Sequence, residues 1–236
     1  MLNLFITGVE NNKNKIFVTA GLGGTMQSLG YSCGVYKPIE TGVTDKSNDL
    51  NFIKDVDSHI DTYFSYQLEN ELSPILSAAK EGLVMEKDVI LSDYQKILKK
   101  EKECIIIDGL SGLTTPLSKN FLEEDIVKML DLPILFVVSA KTSDINNSIL
   151  SVNRARELNL SVRGIIINDY PTNTDNEDIK MMSKLIEEYT GTKILGILPE
   201  FVRTITPSDL ITEILNRIDI ESVFKIKIAK LGKYYC

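Results

Sequence analysis

A chain of 236 residues with 43% hydrophobic and 25% charged residues has ample length and apolar content for a packed globular core. Its formal charge of −7 argues against general nucleic-acid binding, and Cys33, Cys104 and Cys236 form no CxxC pair and have no companion histidine cluster. No apolar run reaches the ~18 residues of a membrane span and no signal-peptide pattern is present, so a reducing, cytoplasmic setting without a membrane is expected.

Strand-like apolar runs recur along the chain at residues 2–7, 32–36, 104–107, 134–139, 163–167 and 193–197. Several are continuously apolar rather than alternating, as strands covered on both faces should be. Helical spacing fills intervening stretches such as 145–158 and 178–189. Strand–helix alternation with right-handed crossovers predicts an α/β fold, a doubly wound, mostly parallel sheet with helices on both faces. No repeat or Pro/Gly-rich linker divides the chain, so one domain is expected. Residues 46–94 are polar and read as a mostly helical insertion. Residues 223–236 read as a tail, a last helix or an interface arm. Its Lys225, Lys227, Lys230 and Lys233 suit a solvated face.

Parallel sheets deliver their loops to one edge, so the residues that follow each strand matter most. After the first strand comes Gly8-Val9-Glu10-Asn11-Asn12-Lys13-Asn14-Lys15-Ile16. Lys15 at a helix N-terminus suits phosphate binding, although a standard phosphate loop has Gly before the lysine and Ser or Thr after it. Taken alone, the loop reads more readily as a polar loop with a surface lysine. The second strand leads to Tyr36-Lys37-Pro38-Ile39-Glu40-Thr41-Gly42, where Lys37 points toward the same crevice. Two converging ammonium groups suit phosphoryl or carboxylate chemistry.

The third station is Ile107-Asp108-Gly109-Leu110-Ser111-Gly112, a hydrophobic strand ending in a carboxylate that could serve Mg²⁺. Asp49 offers a second carboxylate or, alternatively, a helix N-cap. Asn168-Asp169 ends a further strand, and its amide could read a base edge or make a turn. His59, the only histidine, is flanked by Asp57 and Asp61 and suits the surface. No Ser/His/Asp or Cys/His nucleophile arrangement is evident.

Together these stations resemble the ATP-dependent dethiobiotin synthetases, over most of the chain. The resemblance rests on Phe5-Ile6-Thr7-Gly8 with Lys15 seven residues later, and on Tyr36-Lys37-Pro38 with Thr41-Gly42. It extends through Ser73-Pro74 with Ala78, Ala79, Glu81 and Gly82, then Asp108 to Gly112 with Pro116-Leu117. Ile145-Asn146-Asn147, Asn168-Asp169 and Leu195-Gly196-Ile197-Leu198-Pro199 complete it. The family implies a phosphate-loop NTPase-like fold and closure of the ureido ring of dethiobiotin from 7,8-diaminopelargonate, CO₂ and ATP with Mg²⁺. It also implies a homodimer with the substrate lying across the interface.

Carried over by position, Gly8 and residues Glu10, Asn11, Asn12, Lys13, Asn14, Lys15 and Ile16 would surround the ATP phosphates. Lys37 would stabilise the carbamate and the transferring phosphoryl group. Thr41 and Gly109 would meet the substrate, Asp49 and Asp108 would hold Mg²⁺, and Asn168 would read adenine. The helix start near Ile145 and Asn146 would receive the substrate carboxylate from the other subunit. Against the family pattern, Asn14 replaces the loop glycine, Ile16 removes a hydroxyl expected on Mg²⁺, and Asp108 shortens a glutamate. Asn12 replaces an acid, Ile75 stands where His or Tyr usually follows Ser-Pro, and Asp144 puts a negative charge at the helix start. A noncatalytic dimeric paralogue and an ATP-dependent ligase for a different substrate therefore stand beside the synthetase.

Overall fold

The continuously apolar runs form the inner strands of one parallel sheet in the computed structural model, which describes residues 1–10, 14–202 and 204–228. In chain order its elements begin with β1 (Leu4–Gly8), α1 (Lys15–Ser28), β2 (Cys33–Thr41), α2 (Asn48–Val56), β3 (Asp61–Leu68), α3 (Pro74–Lys80) and α4 (Lys87–Leu98). There follow β4 (Cys104–Asp108), a small hairpin of β5 (Pro116–Ser118) and β6 (Phe121–Leu122), α5 (Glu123–Leu130), β7 (Ile134–Ser139) and α6 (Thr142–Glu157). The remainder is β8 (Val162–Tyr170), α7 (Glu177–Thr190), β9 (Ile194–Pro199), α8 (Pro207–Arg217) and α9 (Ile220–Phe224).

The sheet runs β3-β2-β4-β1-β7-β8-β9, with parallel pairing between each neighbouring pair. The chain leaves β1 toward β2 on one side and later passes back over it to β7 on the other. That reversal opens a crevice beside the C-terminal ends of β1, β4 and β7, the position where such sheets bind ligands.

Residues 46–94, expected to be a mostly helical insertion, contain α2, α3 and the start of α4, yet they also contain β3, which the sequence reading missed. β3 pairs along β2 from Gly34 opposite Asp61 to Thr41 opposite Leu68, so this segment supplies the outermost strand of the main sheet rather than a helical excursion. It escaped notice because an edge strand buries little, and only Leu68 of β3 is buried. Helix α6 also starts earlier than expected, at Thr142, which puts Asp144 inside its first turn. Of the tail, α9 is helical, while residues 229–236 lie outside the described residues.

Each face of the sheet carries its own apolar layer. One gathers α1, α2, α8 and α9 around Phe17, Leu22, Ile53, Leu210 and Val223. The other gathers α3 to α7 around Tyr36, Ile90, Ile126, Val152 and Met182. Helix α1 is covered on every side, with Lys15 through Met26 all buried. Glycines permit this. A Cβ at Gly21 would come within 2.6 Å of Ile214 on α8, and one at Gly24 within 2.9 Å of Val56 on α2. Among the described residues no helix is long and apolar enough to cross a membrane.

Candidate nucleotide site

Helix α1 opens directly behind β1, so its N-terminal N–H groups face the crevice with the favourable end of the helix dipole. Gly8 is where the chain turns off the strand; a Cβ there would lie 2.7 Å from the Glu10 carbonyl oxygen. Asn14 sits at the helix N-cap with φ of −85°, an ordinary right-handed conformation. The loop glycine's special freedom is therefore not used at this position. Ile16 is 2% exposed and belongs to the core beneath the site, so its methyl groups fill packing space. Asn11, Asn12 and Lys13 lie outside the described residues.

Lys15 and Lys37, from separate strand–helix connections, meet on one carboxylate. Lys15 Nζ donates to Asp108 Oδ1, and Lys37 Nζ reaches Asp108 Oδ2 at 2.7 Å. Thr19, one turn into α1, donates its hydroxyl to Asp108 Oδ1 at 2.8 Å. Asp49, in the first turn of α2, places Oδ2 3.0 Å from Lys37 Nζ. Asp49 is not the cap of that helix; Ser47 is, accepting from the Leu50 N–H at 2.8 Å.

The electrostatics of this buried group follow from competition between desolvation and pairing. Burial disfavours the Lys15 charge, Lys37 beside it adds repulsion, and together these outweigh Asp108, so its pKa is lowered. Burial also opposes the charge on Lys37, but Asp108 and Asp49 overcome it and raise its pKa. Burial alone would raise the Asp108 pKa; the two lysines win and hold it well below the usual carboxylate range.

A further acid supports the loop that carries Asp108. Glu123, fully buried at the start of α5, accepts the Leu110 N–H at 2.8 Å and the Gly112 N–H at 3.3 Å. Burial pushes its pKa up to about 7. Gly109 is obligatory for this packing, since a Cβ would lie 2.7 Å from the Ile6 carbonyl oxygen and against the Glu123 carboxylate.

On the other flank, Lys141 Nζ bonds Glu10 Oε1 at 2.7 Å and fastens the β1–α1 loop to the start of α6. Asp144 is buried in the first turn of α6, and burial followed by repulsion from Glu10 raises its pKa to about 6. That helix N-terminus already faces a carboxylate of its own chain; Ile145 is half-buried and Asn146 exposed. Asn168 is fully buried and donates Nδ2 to the Asn14 carbonyl at 3.2 Å, and its Oδ1 has no partner among the described residues. Asn14 Nδ2 in turn donates to Asp169 Oδ1 at 2.9 Å. Thr41 ends β2 with partial exposure.

The sequence reading thus named Lys15, Lys37, Asp49 and Asp108, which the structure brings together, but it missed Thr19 and Glu123. A hydroxyl one turn beyond Lys15 on the same helix was the available signal for Thr19. Glu123 begins an acidic run that reads as an ordinary helix start, and nothing in the sequence marks it as buried.

The strand order of the parallel sheet and the turn from β1 into α1 define a fold of the phosphate-loop NTPase-like type. A chain of the MinC:MinD cell division protein complex of Aquifex aeolicus shares this fold, with a TM-score of 0.59, 16% identity and coverage of 94% of each chain. A family model described as an AAA domain matches residues 2–208. The ATP-dependent dethiobiotin synthetase of Bacillus subtilis is 31% identical over 207 residues, 85% of this chain and 88% of that one. The corresponding protein of Nitrosopumilus maritimus is 26% identical, covering 95% of this chain and 100% of its own. The chain belongs to the ATP-dependent dethiobiotin synthetase family, a family of ligases.

Proposed function

We propose that this protein is a dethiobiotin synthetase-like cyclo-ligase that forms the ureido ring of dethiobiotin from 7,8-diaminopelargonate, CO₂ and ATP. The observation that carries the proposal is the meeting of Lys15 and Lys37 over Asp108 at the mouth of the crevice. In the proposed complex the two ammonium groups exchange Asp108 for anionic oxygens of ATP and carbamate. Charge developing there is then stabilised by groups already aimed at it. Thr41 and Gly109 border the reacting end of the substrate, and residues 8–16 surround the phosphates. Asn168 would present its Oδ1, which has no partner among the described residues, to the base only if the Asn14 loop yields.

Mg²⁺ fits the donor set in one respect: Asp49 and Asp108 converge on a single cation, the Lys37 ammonium, at 3.0 and 2.7 Å. These two carboxylates would hold the metal, with Ile16 contributing nothing and Thr19 adding a hydroxyl beside Asp108. When bound, Mg²⁺ would neutralise phosphate oxygens. The protein is further proposed to act in the cytoplasm as a single-domain chain, forming a homodimer with substrate across the interface.

The test is ADP release by pure protein. Turnover that requires both diaminopelargonate and bicarbonate, and that is lost in Lys37→Ala, supports the assignment; no such turnover rejects it. Asp144 and Glu10 at the α6 start favour a second reading, an ATP-dependent ligase whose substrate lacks a carboxylate at that end. A panel of diamines with and without the distal carboxylate separates the two. A third, a noncatalytic dimeric paralogue with impaired nucleotide binding, would be counted against by tight Mg-ATP binding in calorimetry that Lys15→Ala abolishes.

A further inference from the structure

The edge of the sheet opposite the candidate nucleotide site carries a basic cleft that the proposed activity does not use. It is a concavity of about 510 Å³ where β8 and β9 begin, bounded by the ends of α6 and α7 and by α9. Four cationic side chains line it, Arg156, Arg163, Lys193 and Lys225, and no acidic residue does among the described residues. This is a local excess of positive charge in a chain whose net charge is −7.

Arg163 distinguishes the cleft from an ordinary basic patch. Its Nε and Nη1 are buried and have no hydrogen-bond partner among the described residues. Burial holds the guanidinium below the usual arginine range, and among the described residues no carboxylate offsets it. Buried guanidinium nitrogens are ordinarily paired, because leaving such donors dry and unbonded is among the more expensive arrangements in a fold. Arg156, by contrast, spends one nitrogen on Thr192 Oγ1 at 3.1 Å.

We propose that this cleft is a second binding site, for a compact multivalent oxyanion of the phosphate or carboxylate class, held by Arg163 with Arg156, Lys193 and Lys225 around it. Guanidinium groups recognise both anions through charge-assisted hydrogen bonds. The cleft lies at the N-terminal ends of the strands, whereas Lys15 and Lys37 serve the C-terminal ends. Occupancy of the two sites is therefore structurally separate. Its concave shape and size suit a small molecule rather than a nucleic-acid backbone.

The experiment is thermal unfolding and calorimetry of the full chain with pyrophosphate and, separately, citrate, against sodium chloride of matched ionic strength. At about a hundredfold excess over Kd the wild type is expected to gain roughly 5 °C or more. A gain with one probe assigns phosphate or polycarboxylate; a gain with both assigns the shared chemistry. Arg163→Met is expected to lose the response while unfolding no earlier than wild type in chloride, because it removes two buried nitrogens that have no hydrogen-bond partner among the described residues. The exposed Lys193→Glu, which cannot disturb the core, is expected to weaken binding by about tenfold or more. Lys15→Ala reports on the nucleotide site and is expected to leave part of the response intact. The proposal is overturned by no stabilisation from either probe, by an unchanged response in both Arg163→Met and Lys193→Glu, or by complete loss of the response in Lys15→Ala.

Discussion

Replacing Asp108 with Asn would leave two buried ammonium groups side by side without their common counter-ion. Lys37 Nζ lies 2.7 Å from Asp108 Oδ2, with the two side chains 9% and 1% exposed. At an effective dielectric constant of about 20 that separation corresponds to roughly 6 kcal/mol of attraction, before the desolvation that burial has already exacted. Lys37 would keep Asp49 at 3.0 Å, whereas Lys15 would keep no direct partner of comparable strength among the described residues. Removing one member of a buried ion pair typically costs about 3–5 kcal/mol, and a loss near ~3 kcal/mol is expected here.

The pH dependence carries a sign that can be checked. Burial already lowers the Lys15 pKa, and without Asp108 it falls further below its unfolded value of about 10.4. A base with a depressed folded pKa destabilises most at low pH, and the penalty fades as pH rises toward the unfolded value. Urea unfolding of wild type and Asp108→Asn at about pH 7 and about pH 9.5 should therefore give a smaller difference at the higher pH. Adding Lys15→Met should recover much of the loss, since it removes the stranded charge. A difference under about 1 kcal/mol at neutral pH, or one that grows with pH, would refute the account.

Three further expectations follow from the packing. Ile16→Thr trades buried apolar volume for a hydroxyl in the core, and should lower stability by about 1–2 kcal/mol in denaturant titrations even where it improves Mg²⁺ affinity. Gly21→Ala drives a Cβ to 2.6 Å from Ile214 and should destabilise by about 1–3 kcal/mol; a neutral result in thermal unfolding would mean α8 yields freely. The Glu123 pKa is raised from 4.5 to about 7, so the folded state retains a proton that the unfolded chain loses. Its contribution to stability should fall by about 3 kcal/mol as pH rises from about 4.5 to about 7, and Glu123→Gln should flatten that part of the pH–stability curve.

What the sequence made legible was whatever burial writes into composition. Cys104–Asp108 and Ile134–Ser139 are buried at every residue, so their apolar runs announce inner strands. Asp61–Leu68 is only partly covered, with Leu68 alone fully buried, and its polar residues concealed a strand that backbone pairing to β2 maintains. The site was legible where a residue type is unusual for its place, as a lysine ending a strand is. It was opaque where the reason is purely three-dimensional. Nothing before folding shows that a hydroxyl at Thr19 and an ammonium at Lys15 share one oxygen of Asp108, or that Glu123 fastens a loop thirteen residues upstream.

Strand β3 has a consequence for how this chain can be cut or recombined. Because Phe64 lies opposite Lys37 across the β2–β3 ladder, the strand bearing that lysine is braced on both flanks. Excising residues 46–94 as though they were an appendage would turn an interior strand into a bare margin, with its amide groups open to pairing with another molecule. A chimera that borrows only Asp61–Leu68 from a relative would retune the lysine's footing while leaving Asp49 and Asp108 in place.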